Sequence, residues 1–375
     1  AEAGVDIAIP VIENTLAPPD GWNLDTPKGI ITGLDTTGLE NEITGGSDND
    51  TDTPNSATPD ITIADLLGEV DPIRVAEGRY LSDELTIHYG LVPRTNRGIF
   101  AINELPDLAE RIQVGLLNIM EERDVQIRGY RIRLPLDVYI VASANPEDYT
   151  NRGRIITPLK DRYGSQIRTH YPRSSEQEIQ IAEQEQTRFD DEAPPVLVPP
   201  YMTELVAEIT HLARRSAEIN QRSGVSVRVT IANQESLVSS ALRRAIRLGE
   251  SQAVPRVSDL PFLLASTVGK IELETVEDGK EEQVVDKLIR GAILNVFNRY
   301  FSPQDFSEVL AKFDAGLSVE VSHTMPSLAY LEWWRQLRLA EAAQKLGAKS
   351  DDPAQVAAAT EFILEGLHLN RRLNK

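Results

Sequence analysis

Apolar segments of strand length recur along the middle of the chain, at residues 98–103 (GIFAIN), 138–145 (VYIVASAN) and 165–171 (SQIRTHY). Between the first two lies a segment with helical spacing of apolar residues, 108–122 (LAERIQVGLLNIMEE). Continuous apolar runs separated by amphipathic helices are typical of a parallel sheet that is buried on both faces. The pattern therefore predicts an α/β fold with a wound parallel sheet.

Flanking patterns define the remaining regions. Residues 125–135 (VQIRGYRIRLP) alternate around a glycine-containing turn and predict a β-hairpin. After the proline-rich stretch at 190–201 the chain has two blocks with helical periodicity, separated by an acidic break at 276–283 (VEDGKEEQ). We predict four regions: an acidic low-order segment at 1–57, the α/β core at 58–190, a helical lid at 201–275 and a C-terminal helical region at 284–375.

The composition argues against nucleic-acid binding and membrane association. The net charge is −20, and residues 1–60 carry twelve acidic residues and one lysine, 12 − 1 = 11 of those negative charges. Nucleic-acid binding is not expected, since it depends on clustered Lys and Arg. The 375 residues contain no cysteine and no apolar run near the roughly 18–20 residues of a membrane span. We expect no membrane association and a cytoplasmic location.

Two of the predicted strands end in polar side chains. The first ends in Asn103 and Glu104, and the second ends in Ser143, Ala144 and Asn145. Ligands of wound sheets bind beyond the carboxyl ends of the strands, where these residues would lie. A polar residue that closes a strand also serves as a turn or helix cap, and this second interpretation stays open.

The segment 58–172 resembles an AAA+ ATPase of the MoxR and magnesium-chelatase I-subunit branch. Residues 97–108 (RGIFAINELPDL) resemble the Walker B segment, and 118–148 (NIMEERDVQIRGYRIRLPLDVYIVASANPED) resemble the helix, pre-sensor hairpin and sensor-1 strand. Residues 151–168 (NRGRIITPLKDRYGSQIR) resemble the stretch that carries the arginine finger. The likeness continues more weakly through the lid.

The resemblance implies ATP and Mg²⁺ as cofactors and assigns roles to particular residues. Glu104 would polarise the attacking water, and Asn103 stands where the family has the Asp that is associated with Mg²⁺. Asn145 matches sensor 1. Arg162 is the candidate arginine finger, with Arg152 and Arg154 as rivals. By position, Arg228 in residues 224–251 (GVSVRVTIANQESLVSSALRRAIRLGES) takes the sensor-2 role.

One departure from the family concerns the phosphate-binding loop. The chain has no GxxxxGK(S/T) run, whose backbone N–H groups and Lys hold the phosphates. We expect an AAA+ core that is incomplete at its N-terminus, or a pseudo-ATPase, and no turnover by this chain alone. The expected function is that of a motor subunit in a homo-oligomeric ring, a hexamer, which acts on a client protein or second subunit. A scaffold or binding subunit that does not hydrolyse ATP is the alternative.

Overall fold

The computed structural model describes residues 6–8, 61–70, 73, 87–122, 125–127, 130–132, 136–144, 154–187, 193–221, 223–274 and 279–374. The chain divides into two compact units, one over Gly4–His170 and the other over Tyr171–Lys375. None of the described helices combines the length and the apolar composition that a membrane crossing requires.

The strands all belong to the unit Gly4–His170. In chain order they are β1 (Asp6–Ala8), β2 (Gly68–Val70), β3 (Ile87–Tyr89), β4 (Ile99–Ile102), β5 (Val125–Ile127), β6 (Tyr130–Ile132), β7 (Tyr139–Ala144) and β8 (Gln166–Arg168). The helices of this unit are α1 (Ile63–Leu67), α2 (Leu91–Arg94), α3 (Glu110–Glu122) and α4 (Thr157–Arg162).

The largest sheet has the strand order β4, β7, β1, β8. Strands β4 and β7 are parallel, with Ile99 opposite Tyr139 and Ile102 opposite Ala142. Strand β1 runs antiparallel to both of its neighbours, so the described sheet is mixed. One parallel pair does not establish a wound parallel sheet, and that fold class stays a prediction. The predicted hairpin is confirmed, because β5 and β6 pair antiparallel.

One hydrophobic core holds this unit together. Alternate residues of β7 are buried, among them Ile140 and Ala142, while the intervening residues are partly buried. Helix α3 packs its apolar face into the same core through Ile112 and Leu116, which are spaced one helical turn apart. The polar ends of β4 and β7 therefore lie at the edge of a rigid, well-packed layer.

The described part of the unit Tyr171–Lys375 is helical. Its helices are α5 (Ser175–Glu185), α6 (Pro200–Ala213), α7 (Arg228–Leu248), α8 (Leu264–Val268), α9 (Lys280–Tyr300), α10 (Ser307–Asp314), α11 (Tyr330–Leu337), α12 (Ala340–Lys345) and α13 (Pro353–Leu369). Residues from both the predicted lid and the predicted C-terminal region contribute to one large core. Helix α13 lies close against α9, where Gly366 faces the ring of Phe297.

Helix α5 belongs to this unit, although the sequence places it in the α/β core. Its Glu178 is fully buried and accepts two hydrogen bonds from the Arg214 guanidinium, at 2.7 and 2.9 Å. The Thr230 hydroxyl of α7 also donates to it, at 2.6 Å. Burial raises the pKa of Glu178, but hydrogen bonds from His211, Arg214 and Thr230, together with the Arg214 charge, outweigh it and hold the pKa below its usual range. These hydrogen bonds connect helix α5 to Arg214, which follows α6, and to helix α7.

Candidate functional site

A single hydroxyl joins the ends of the two parallel strands. The register that sets Ile102 opposite Ala142 brings the next residues, Asn103 and Ser143, side by side. Ser143 Oγ donates a hydrogen bond to Asn103 Oδ1 at 2.6 Å and accepts one from the Glu104 backbone N–H at 3.1 Å. The Asn–Glu pair of β4 and the end of β7 thus form one continuous polar edge.

The backbone at Glu104 adopts a left-handed conformation, with φ 52° and ψ 56°. This conformation is uncommon for a residue with a side chain and costs roughly 1–2 kcal/mol. It arises because the chain stops extending after Ile102 and turns so that Leu105 and Pro106 become buried in a 3₁₀ turn, Leu105–Asp107. The Glu104 side chain is left half-buried at the strand edge. Strained backbone of this kind occurs disproportionately at functional sites.

Buried Gln113 holds in place the backbone segment that leads into helix α4. Its Nε2 donates to the carbonyl oxygens of Leu108 and Arg154 at 2.9 and 3.1 Å, and its Oε1 accepts from the Ile156 N–H at 2.9 Å. The side chain satisfies three backbone groups that have no partner in a helix or sheet. Sequence reasoning missed Gln113, although a polar residue within the apolar face of α3 was the available signal.

The candidate arginine finger has a partner within its own unit. Arg162 ends helix α4 and forms an ion pair with Glu121 of helix α3. Both side chains are exposed, at 43% and 46%, so solvent screens the pair and it contributes little to stability. Such a weakly held guanidinium can exchange one carboxylate for another anion. Arg154 is also exposed, whereas Arg152 lies outside the described residues.

Two predicted residues are not brought to this strand edge by any described contact. Asn145, the predicted sensor-1 residue, lies outside the described residues. Arg228 belongs to the other unit, where it is exposed and begins helix α7, and its N–H donates to Ser226 Oγ at 3.2 Å. A cation at a helix N-terminus opposes the helix dipole, so helix stability does not account for Arg228.

The donor atoms at the strand edge fit a Mg²⁺ ion that arrives with a nucleotide. Mg²⁺ is commonly bound through one or two carboxylates together with substrate phosphates and water. Glu104 would supply one carboxylate, and Asn103 would supply an amide oxygen, which already accepts a hydrogen bond from the Ser143 hydroxyl. Among the described residues, no three His, Cys, Asp or Glu side chains group closely enough to hold a metal by themselves.

Comparisons with known proteins identify no family for this chain. No protein-family model matches the chain, and no curated protein matches it. The likeness to AAA+ ATPases therefore stays a prediction from the motifs quoted above.

Proposed function

We propose that the chain is a subunit of a ring-forming AAA+ ATPase that couples ATP hydrolysis to the remodelling of a partner, in the manner of a MoxR protein or the magnesium-chelatase motor. The observation that carries the proposal is the Ser143 hydroxyl bond between the parallel strand ends. It joins the end of β7 to Asn103 and Glu104, the consecutive amide and carboxylate residues that follow β4 at one edge of the sheet. That edge is where wound sheets bind their ligands.

The carboxylate residue would act on the attacking water. ATP with Mg²⁺ supplies the reacting phosphoryl group and the charge that neutralises its oxygens. Glu104 would accept a hydrogen bond from the water and would orient it for attack on the terminal phosphate. The turn from Glu104 to Leu105 holds this residue in place, because Leu105 is anchored in the core. A base positioned in this way contributes about 10²–10⁴ in rate.

The amide next to it has a supporting role. Asn103 offers an oxygen without negative charge, so it holds metal-bound water more weakly than the Asp of the family pattern. Ser143 orients this amide by donating to its oxygen, which leaves the amide NH₂ group directed elsewhere. Ser143 is thus a positioning residue; the sequence placed it at the end of a predicted strand but assigned it no role.

Arg162 would act on a neighbouring subunit. In a ring its guanidinium exchanges Glu121 for the terminal phosphate that the adjacent subunit binds. Arginine fingers of this type contribute about 10³–10⁵ in rate. The exposed ion pair with Glu121 supports this role, because little free energy is lost when it opens.

A scaffold subunit is the second candidate function. The absence of GxxxxGK(S/T) from the 375 residues and the amide at position 103 both favour a chain that occupies a ring without turnover. Such a subunit would bind nucleotide weakly or not at all, and its Arg162 would still serve a neighbour. The two functions differ in whether Glu104 matters for the rate.

Steady-state ATP hydrolysis by the assembly isolated from its source organism tests the proposal. Glu104→Gln should lower kcat by about 10²–10⁴, while Glu110→Gln, which changes an exposed acid in the first turn of α3, should leave it unchanged. Arg162→Ala should lower kcat by about 10³ or more, and the exposed control Lys160→Ala should not. The 375-residue chain by itself should show no turnover.

The outcomes separate the two functions. A rate that depends on Arg162 but not on Glu104 identifies a scaffold that serves a neighbouring active site. Hydrolysis that is unaffected by both substitutions, or hydrolysis by the isolated chain that survives Glu104→Gln, refutes the motor function.

A further inference from the structure

The helical unit contains a cavity of about 220 Å³ with arginines on its walls. Helix α7 forms one side, and the 3₁₀ helix Val257–Leu263 and residues 323–324 form the others. Arg243, Arg244 and Arg247 line the cavity together with Phe262 and His323. The cavity is smaller than the roughly 300–1,000 Å³ of drug-sized and cofactor sites, so its ligand is small.

The spacing of the arginines explains why they share one cavity. Ser240, Arg243, Arg244, Arg247 and Leu248 follow the i, i+3, i+4, i+7, i+8 pattern and so lie on one face of helix α7. In a helix that packs against a core this face would ordinarily be apolar. Here it is mainly cationic.

Arg244 forms the buried base of the cavity. It is 5% exposed and forms an ion pair with Asp259, which is 1% exposed and also accepts from the Ser240 hydroxyl at 3.0 Å. The guanidinium is therefore held in a fixed orientation. Its Nε–H is buried and has no hydrogen-bond partner in the structure. Arg244 also donates to the Val254 carbonyl oxygen, so its terminal nitrogens are already occupied and it contributes positive charge to the cavity wall.

The other two arginines are not neutralised. Among the described residues, no carboxylate forms an ion pair with Arg243 or Arg247. The Arg243 guanidinium lies over the Phe262 ring, 4.8 Å from its centroid, and this contact uses the π faces and leaves the N–H donors unused. Like charges at i and i+4 destabilise a helix slightly, and an anion bound between them would offset this repulsion.

The net charge of the cavity is positive in a strongly acidic protein. Three arginines and one aspartate give 3 − 1 = +2, compared with −20 for the whole chain. The helix dipole accounts for a cation in the last turn of α7, where Arg247 lies. It does not account for the burial of Arg244 or for the aromatic wall of Phe262 and His323, whose rings meet edge to face at 5.7 Å.

We infer that this cavity binds a small phosphate-bearing anion. The guanidinium fork matches two phosphate oxygens at once, and the forks of Arg243 and Arg247, beside the buried charge of Arg244, suit a doubly charged ligand better than a carboxylate. Phe262 and His323 add an apolar wall beside the charged base, on which an organic group attached to the phosphate would lie. Free inorganic phosphate and a small phosphate ester share the chemistry that the arginines recognise.

Calorimetric titration and thermal unfolding of the 375-residue chain test the inference. Inorganic phosphate, glycerol phosphate and phenyl phosphate serve as probes, with sodium acetate and sodium chloride at matched ionic strength. We expect binding of a phosphate probe and a higher Tm. Arg243→Gln and Arg247→Gln should each weaken Kd by about tenfold, since each removes a charge-assisted contact. Both side chains are exposed, so neither substitution should disturb folding.

The control is Arg335→Gln, which removes an exposed arginine of helix α11 that has no ion pair among the described residues. It should bind phosphate as the unmodified chain does. Phenyl phosphate that binds more tightly than inorganic phosphate would support an organic ester on the Phe262 wall, and the reverse order would support free phosphate. Equal stabilisation by chloride or acetate, or phosphate binding that survives loss of both Arg243 and Arg247, would overturn the inference.

Discussion

Removal of the Ser143 hydroxyl is the most direct perturbation of the candidate site. Ser143→Ala deletes one oxygen and leaves the backbone pairing of β4 and β7 intact, because that pairing uses main-chain groups only. Two hydrogen bonds are lost, the one to Asn103 Oδ1 and the one from the Glu104 N–H. Any effect can therefore be assigned to the connection between the strand ends.

The magnitude follows from those two bonds. A net contribution of about 0.5–1.5 kcal/mol per hydrogen bond gives roughly 1–3 kcal/mol in total. The lower half of that range applies, because Asn103 is exposed and water replaces its lost partner. We expect a loss of about 1–2 kcal/mol in the local free energy of opening, which is a factor of roughly 5–30 in the population of the open form.

Hydrogen exchange measured at the Glu104 amide is the assay, since this N–H is one of the two groups that lose a partner. Exchange at Glu104 should accelerate by about 5–30-fold in Ser143→Ala. Ser165→Ala is the matched control, because the Ser165 hydroxyl has no hydrogen bond among the described residues of the same unit. It should leave exchange at Glu104 unchanged.

A double-mutant cycle with Asn103→Ala strengthens the assignment. If Ser143 and Asn103 act through one hydrogen bond, their combined effect on stability should fall short of the sum by about 0.5–1 kcal/mol. Unchanged exchange at Glu104 in Ser143→Ala, or equal acceleration in Ser165→Ala, would show that the hydroxyl does not connect the strand ends.

Two further predictions concern the helical unit. Gly366→Ala would place a Cβ atom 2.1 Å from Phe297 Cδ2, so we expect overpacking to lower stability by about 1–3 kcal/mol, seen as a lower Tm in tryptophan fluorescence. Gly269→Ala, where no heavy atom lies within 4 Å, should cause no such loss. Burial raises the pKa of Glu361, and the charge of Arg256 only partly opposes this. The folded state therefore holds this proton more tightly than the unfolded state. The resulting stability is complete below the unfolded pKa near 4.5 and is lost as the pH rises through the folded pKa. In urea unfolding, Glu361→Gln should flatten that decline as the pH rises above 4.5, and an unchanged slope would contradict the assignment.

Local pattern was sufficient to locate many secondary-structure elements. The strands Ile99–Ile102 and Tyr139–Ala144 and the helix Glu110–Glu122 lie within the segments that periodicity predicted. The hairpin of β5 and β6 also lies where alternation predicted it. These elements are predictable because side chains on one face repeat every 2 residues in a strand and every 3.6 residues in a helix. The spacing of apolar residues therefore indicates both the type of element and its buried face.

The sequence by itself thus determined several of the strands and helices, among them β4, β7 and α3, and that Asn103 and Glu104 follow a strand. Only the tertiary structure decided which side chains meet. Ser143 reaches Asn103 because of the register between β4 and β7, and Arg244 meets Asp259 because helix α7 packs against a 3₁₀ helix. The physical reason is that spacing encodes the buried face of each element, whereas partners distant in sequence are selected by the packing of whole elements against one another.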